Sequence, residues 1–161
     1  MKLTGAMLLF AACGGLGLSK LFSLRKDAEK IGELIFMLER MELEICVHRR
    51  SLPETLKLLE PEKLRYLSGI GTLADMLPDK PFAEMWRDYF RAMALPVETE
   101  KAICDLGWAL CSGTDTEKSF SACLGKLKEE EASIKDTIRQ NGKVYVASGF
   151  ALGSLLVIAS I

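Results

Sequence analysis

The chain has 161 residues, enough for one ordinary domain and too few for a large multidomain enzyme. Its 49% hydrophobic and 27% charged content is that of a globular protein. Lys and Arg number 21 against 22 Asp and Glu, a net charge of -1 that lacks the basic surplus favoured by nucleic acid phosphates, so nucleic acid is not an expected partner.

Charge is unevenly spread. Every Asp and Glu lies between Asp27 and Asp136, whereas 17 residues from Leu3 to Ser19 and 18 from Val144 to Ile161 carry no charge. As helices these stretches would be about 26 Å long, close to a hydrocarbon core of about 30 Å. Each predicts a transmembrane helix, giving membrane segments 1–24 and 143–161 around a polar middle, 25–142. A cleaved signal, or a lipoprotein signal with Phe10-Ala11-Ala12 before Cys13, is the competing reading of the first stretch. Against it, Lys2 is the only early charge and the apolar run continues to Leu18.

Lys20, Arg25 and Lys26 follow the first stretch, and Arg139 and Lys143 precede the second, while Lys2 stands alone on the far side. By the positive-inside rule the middle is expected in the cytoplasm, with the two spans returning as neighbours. Gly149 and Gly153 form a G-x-x-x-G in the second span, and Gly14, Gly15 and Gly17 occupy the first, residues small enough for close helix packing. Five cysteines without a C-x-x-C pattern agree with a reducing compartment.

The middle reads as six helices. Ile31, Leu34, Ile35, Leu38, Met41 and Ile45 recur at intervals of three and four, predicting one amphipathic helix over 25–47. Ser51 and Glu54 have capping-box spacing, with Pro53 in the first turn, and open a second helix that stops before Pro61. Leu64, Leu67, Leu73 and Met76 predict a third over 62–76, weakened by Gly69 and Gly71. Phe82, Met85, Trp86, Tyr89, Phe90 and Met93 form an aromatic stripe on a fourth. Ile103, Leu106, Trp108 and Leu110 mark a fifth over 97–111, with Gly113 placed to close it. Thr114 and Glu117 repeat the capping spacing ahead of a sixth, through Phe120, Leu124, Leu127, Ile134 and Ile138 toward the second span. No stretch alternates convincingly with period two, so the predicted class is all-α, a cytoplasmic six-helix bundle flanked by N-terminal and C-terminal transmembrane helices.

Chemistry is sparse. His48 lies two residues from Cys46, on another face of a helix, which disfavours a Cys/His nucleophile. Cys104 and Cys111 are about 10 Å apart along a helix axis, too far for one metal ion. Glu42 with Glu44, and Glu129 to Glu131, are expected to be solvated charge rather than acid/base pairs, and no phosphate-binding loop is present. No cofactor, metal or catalytic residue is expected.

Several stretches carry a family resemblance: Met1 to Ala6, Leu38 and Met41-Glu42-Leu43-Glu44-Ile45 ahead of Leu52-Pro53-Glu54-Thr55-Leu56, the turn from Gly113 to Asp115, and Gly142-Lys143-Val144-Tyr145 before a Gly-rich end. Over nearly its full length the chain resembles stage III sporulation protein AB of endospore-forming bacteria. Val47 and His48 stand where that pattern has Tyr-Gly, Arg50 where it has a small hydroxyl residue, and the turn before Asp115 is one residue longer. The resemblance implies a cytoplasmic domain similar to the platform protein of type II secretion and type IV pilus systems. It also implies a place in the mother-cell membrane facing the forespore, the outer forespore membrane.

The implied role is a non-enzymatic scaffold in the channel between mother cell and forespore. Its implied partners are the lipid bilayer, the other membrane subunits, and a cytoplasmic secretion-type ATPase encoded in the same operon. Candidate contacts for the ATPase are Glu42, Glu44, Arg49, Arg50 and Asp115. Two alternatives remain: a small membrane-bound enzyme using Glu42, Glu44 and His48, and a membrane-tethered adaptor unrelated to sporulation.

Overall fold

The computed structural model of the chain describes residues 2–59, 64–77, 79–113 and 115–160, with side chains described from Ser19 to Gly142 within those limits and at Val144, Ala147 and Ala151. Among the described residues it is all-α, with no strand. The helices are α1 (Lys2–Glu42), α2 (Leu52–Leu59), α3 (Thr72–Met76), α4 (Phe82–Arg91), α5 (Val97–Ser112) and α6 (Thr116–Ser160), and a π-helical turn, Leu43–Val47, follows α1 directly. Six α-helices agree with the number expected from periodicity.

Two compact units emerge. One gathers residues 1–29 and 132–161, and the other holds Lys30–Glu131. In the first, Leu21 Cδ1 lies 3.4 Å from where a Cβ on Gly142 would sit, so α1 and α6 approach closely there. Among the described residues no helix is long and apolar enough to cross a membrane. The charge-free stretches from Leu3 to Ser19 and from Val144 to Ile161, with Gly149 and Gly153, lie almost entirely outside the described side chains.

The second unit is built on the amphipathic face of α1. Ile31, Leu34, Leu38 and Met41 are fully enclosed, as their spacing of three and four predicts, and Ile35 is nearly so. Leu56 and Leu59 of α2, Ile103 and Leu106 of α5, and Phe120 and Leu127 of α6 complete the core. Of the aromatic stripe, Phe82, Met85, Trp86 and Phe90 of α4 lie within it, while Tyr89 and Met93 are half-buried. Trp86 stands 5.1 Å from Phe82 and 4.7 Å from Phe90 between ring centroids, the latter edge to face, and its indole N–H donates to the carbonyl of Ile103 at 2.8 Å. Burial pushes the Tyr89 phenol up to about 12, and its hydroxyl donates to Ser68 O.

Two expectations are corrected. The third helix covers Thr72–Met76 only. Gly69 adopts φ +82, which ends any helical run from Leu64. The amides of Arg65 and Tyr66 donate to the two carboxylate oxygens of Glu33 on α1, at 3.1 and 2.8 Å, in place of helical carbonyls. The second correction concerns Trp108, counted with the apolar members of α5 but 61% exposed. Ile103, Leu106 and Gly107 form the buried side of that helix, and Trp108 falls outside it.

Helix ends follow their local signals. Glu54 accepts from the backbone N–H of Ser51 at 3.2 Å, half of the capping box expected there. Gly113 closes α5 at φ +66. Thr114 lies outside the described residues, and α6 begins at Thr116.

Candidate functional site

The most concentrated polar constellation sits where α1 ends. After Glu42 the helix widens by one residue into a π turn, closed by the His48 N–H donating to Leu43 O at 3.1 Å. The Arg50 N–H reaches back to Glu44 O at 3.0 Å, six positions earlier, and Arg49 just before it is left-handed at φ +56. Glycine favours this conformation, and a side chain there costs about 1 kcal/mol.

This turn places two guanidinium groups and an imidazole around one carboxylate. Glu44 is 3% exposed. Its Oε1 lies 3.4 Å from Arg40 Nη2, and its Oε2 lies 3.3 Å from Arg50 Nε and accepts from His48 Nδ1 at 2.9 Å. Arg40 and His48 reach it because positions four apart on a helix are neighbours, and Arg50 because the chain doubles back. The three side chains are each close to half exposed, so Glu44 is covered by a thin shell with water just beyond it, and its attractions are partly screened.

The Glu44 carboxyl is held below the ordinary 4.5, first by the hydrogen bond from His48; burial opposes this, and the charges of Arg50, His48 and Arg40 add to it. A lowered carboxylate pKa contributes stability that is full above the unfolded value and disappears as pH falls through the folded one. Glu44→Gln is therefore expected to lower the melting midpoint at neutral pH. The gap from the parent should begin to close once pH drops below 4.5. A gap that stays constant from pH 7 down to pH 3, followed by thermal unfolding, would show that the charge of Glu44 has no part in stability.

The remaining sequence candidates sit elsewhere or differently. Glu42 is half-buried and turned away from Glu44, toward α6, where its charge helps hold the Lys128 ammonium above its ordinary range behind the larger influence of Glu39. Arg49 is exposed and, among the described residues, joins no ion pair. Asp115 is exposed just ahead of α6, its carboxylate paired with Lys118 and its carbonyl accepting from Ser119. The structure thus gathers Glu44 with Arg50, sets Arg49 beside them, and leaves Glu42 and Asp115 apart. The sequence grouped His48 with Glu42 and Glu44 only as a catalytic alternative; it did not point to Arg40 as a partner of Glu44, although the 40, 44, 48 spacing was available.

Chemical reactivity is low at these groups. A carboxylate engaged by two guanidinium groups and a histidine, with its proton affinity lowered, is a poor general base. Burial pushes the Cys123 thiol up to about 12 and also raises Cys46 and Cys104, the opposite of an activated nucleophile. Among the described residues no group of three or more His, Cys, Asp or Glu could hold a metal ion. Arg50, Glu54, Lys57 and Leu58 line a shallow open hollow beside the cluster, and Ala102, Asp105, Leu106, Ser119 and Cys123 line a small one between α5 and α6. Both suit contact better than enclosure of a substrate.

No curated protein and no solved structure matches the chain. A family model does, over residues 2–161, the whole of the described chain. The matched range includes the Met41 to Ile45 segment that forms the end of α1 and most of its π turn. The chain belongs to the stage III sporulation protein AB family.

Proposed function

We propose that the protein is a membrane-anchored, non-enzymatic scaffold subunit of a secretion-like assembly between mother cell and forespore. Membership of a stage III sporulation family gives the sporulation role. The observation that carries the rest is the division of charge: two charge-free ends, gathered into one compact unit, flank a helical unit that holds nearly every acidic residue. In this reading the ends are the transmembrane helices of residues 1–24 and 143–161, packed at Gly149 and Gly153, and the bundle lies in the mother-cell cytoplasm against the outer forespore membrane. The resemblance to secretion platform proteins supports a bundle that couples a cytoplasmic secretion-type ATPase to the other membrane subunits.

Membrane fractionation and co-purification test both halves. The full-length chain should pellet with membranes, resist high salt, and be released by detergent, as insertion of two apolar helices requires. Detergent extracts should then retain the cognate secretion-type ATPase. Recovery in the soluble fraction would end the membrane reading, and a stable membrane complex without the ATPase would end the coupling reading. Glu44→Arg is a poor probe of contact, since it sets a third guanidinium against those of Arg40 and Arg50 and disrupts the turn itself.

A further inference from the structure

Glu44 spends both carboxylate oxygens inside the turn, so it positions other side chains and is not itself offered to a partner. What the turn offers is cationic. Each guanidinium carries five donors in a fixed fork, and Arg40 and Arg50 each direct one nitrogen at Glu44 while remaining 47% and 45% exposed. Arg49 adds a third guanidinium in a backbone conformation that glycine would adopt more readily. Among these charges lie apolar side chains left uncovered. Leu43 and Val47 continue the Arg40 stripe at helical spacing and are 38% and 65% exposed, and Leu58, 45% exposed, lines the hollow that Arg50 borders.

We propose that this surface docks an acidic amphipathic segment of a protein partner, with carboxylates taken by Arg40, Arg49 and Arg50 and apolar side chains seated on Val47 and Leu58. The proposal rests on the scaffold reading above and names the chemistry of the partner it requires. Arg40, Arg49, Arg50 and Lys57 against Glu44, Glu54 and Asp75 leave an excess of one positive charge. A lipid surface rewards an unbroken basic run, and Glu54 and Asp75 interrupt this one. Forked donors alternating with apolar side chains suit carboxylates spaced along a helix instead. Enclosure of Glu44 fixes the forks before the partner arrives, which reduces the ordering cost of binding.

The test uses the full-length chain in phosphatidylcholine nanodiscs and fluorescence anisotropy of a labelled probe, two heptads of Leu-Glu-Glu-Leu-Leu-Glu-Glu, beside the same peptide with Gln for every Glu. The Glu peptide should bind about tenfold more tightly than the Gln peptide, the ratio expected for one or two charge-assisted hydrogen bonds. Arg49→Gly should weaken that binding several-fold while leaving the melting midpoint unchanged or raised, a combination that a purely structural Arg49 would not give. Equal binding of the two peptides, or indifference to Arg49→Gly, would overturn the proposal. So would an Arg49→Gly effect confined to association with phosphatidylglycerol vesicles, which would assign the surface to lipid. Retention of the secretion-type ATPase without peptide discrimination would remove this surface and leave the scaffold reading standing, whereas peptide discrimination without ATPase retention would do the reverse.

Discussion

Trp86→Ala is expected to lower the unfolding free energy by about 3–5 kcal/mol, the usual cost of removing a large enclosed aromatic. Trp86 is wholly buried, stands between Phe82 and Phe90, and ties α4 to α5 through the Ile103 carbonyl. Removing it opens a cavity between α4 and α5 that the surrounding side chains can close only in part. Most small domains have only about 5–15 kcal/mol to lose, so the variant should be marginal at growth temperature. Urea unfolding of the full-length chain in mild detergent, followed by circular dichroism, checks this. A midpoint within experimental error of the parent would show that the α4–α5 contact is not central to the core.

Gly107→Ala is the second large effect, and its sign is the informative part. Glycine inside a helix is about 1 kcal/mol worse than alanine, so propensity alone makes this change stabilising. A Cβ at position 107, however, would lie 2.4 Å from Cδ1 of Trp86, and the indole has no room to retreat. The expected net result is destabilisation by about 1–3 kcal/mol, typical of overpacking in a filled core. The two sites should couple strongly. In the Trp86→Ala background, where the obstructing ring is gone, Gly107→Ala should become neutral or stabilising. Destabilisation of equal size in both backgrounds would mean that the tryptophan is not what the glycine accommodates.

Much of the helical framework was legible because it depends on local chemistry. The buried stripe of α1, the Ser51–Glu54 cap and the left-handed Gly113 each follow from residues within a turn or two of one another. What the sequence could not show depends on distant partners. The segment from Leu64 has the apolar spacing of a helix, yet Gly69 turns left-handed within it and the Glu33 carboxylate, more than thirty positions away, holds the Arg65 and Tyr66 amides. Trp108 sits at a helical interval that could be buried, and only the side of α5 chosen by Trp86 and Gly107 decides otherwise. Glu44 lay between these cases. Its paired charges at 40 and 48 were local, but its enclosure required the π turn and the return of Arg50, neither of which has a sequence signal in this chain.

The contrast between the two tryptophans has a spectroscopic consequence. Trp86 is sealed from water and Trp108 is largely bathed in it, so intrinsic emission should contain a short-wavelength component shielded from acrylamide and a red-shifted one that is readily quenched. In a Trp108→Phe protein the surviving fluorophore would report only the integrity of the interior. In the parent, quenching of the outer fluorophore would register anything that comes to rest on α5. One cuvette could therefore distinguish loss of the fold from arrival of a partner.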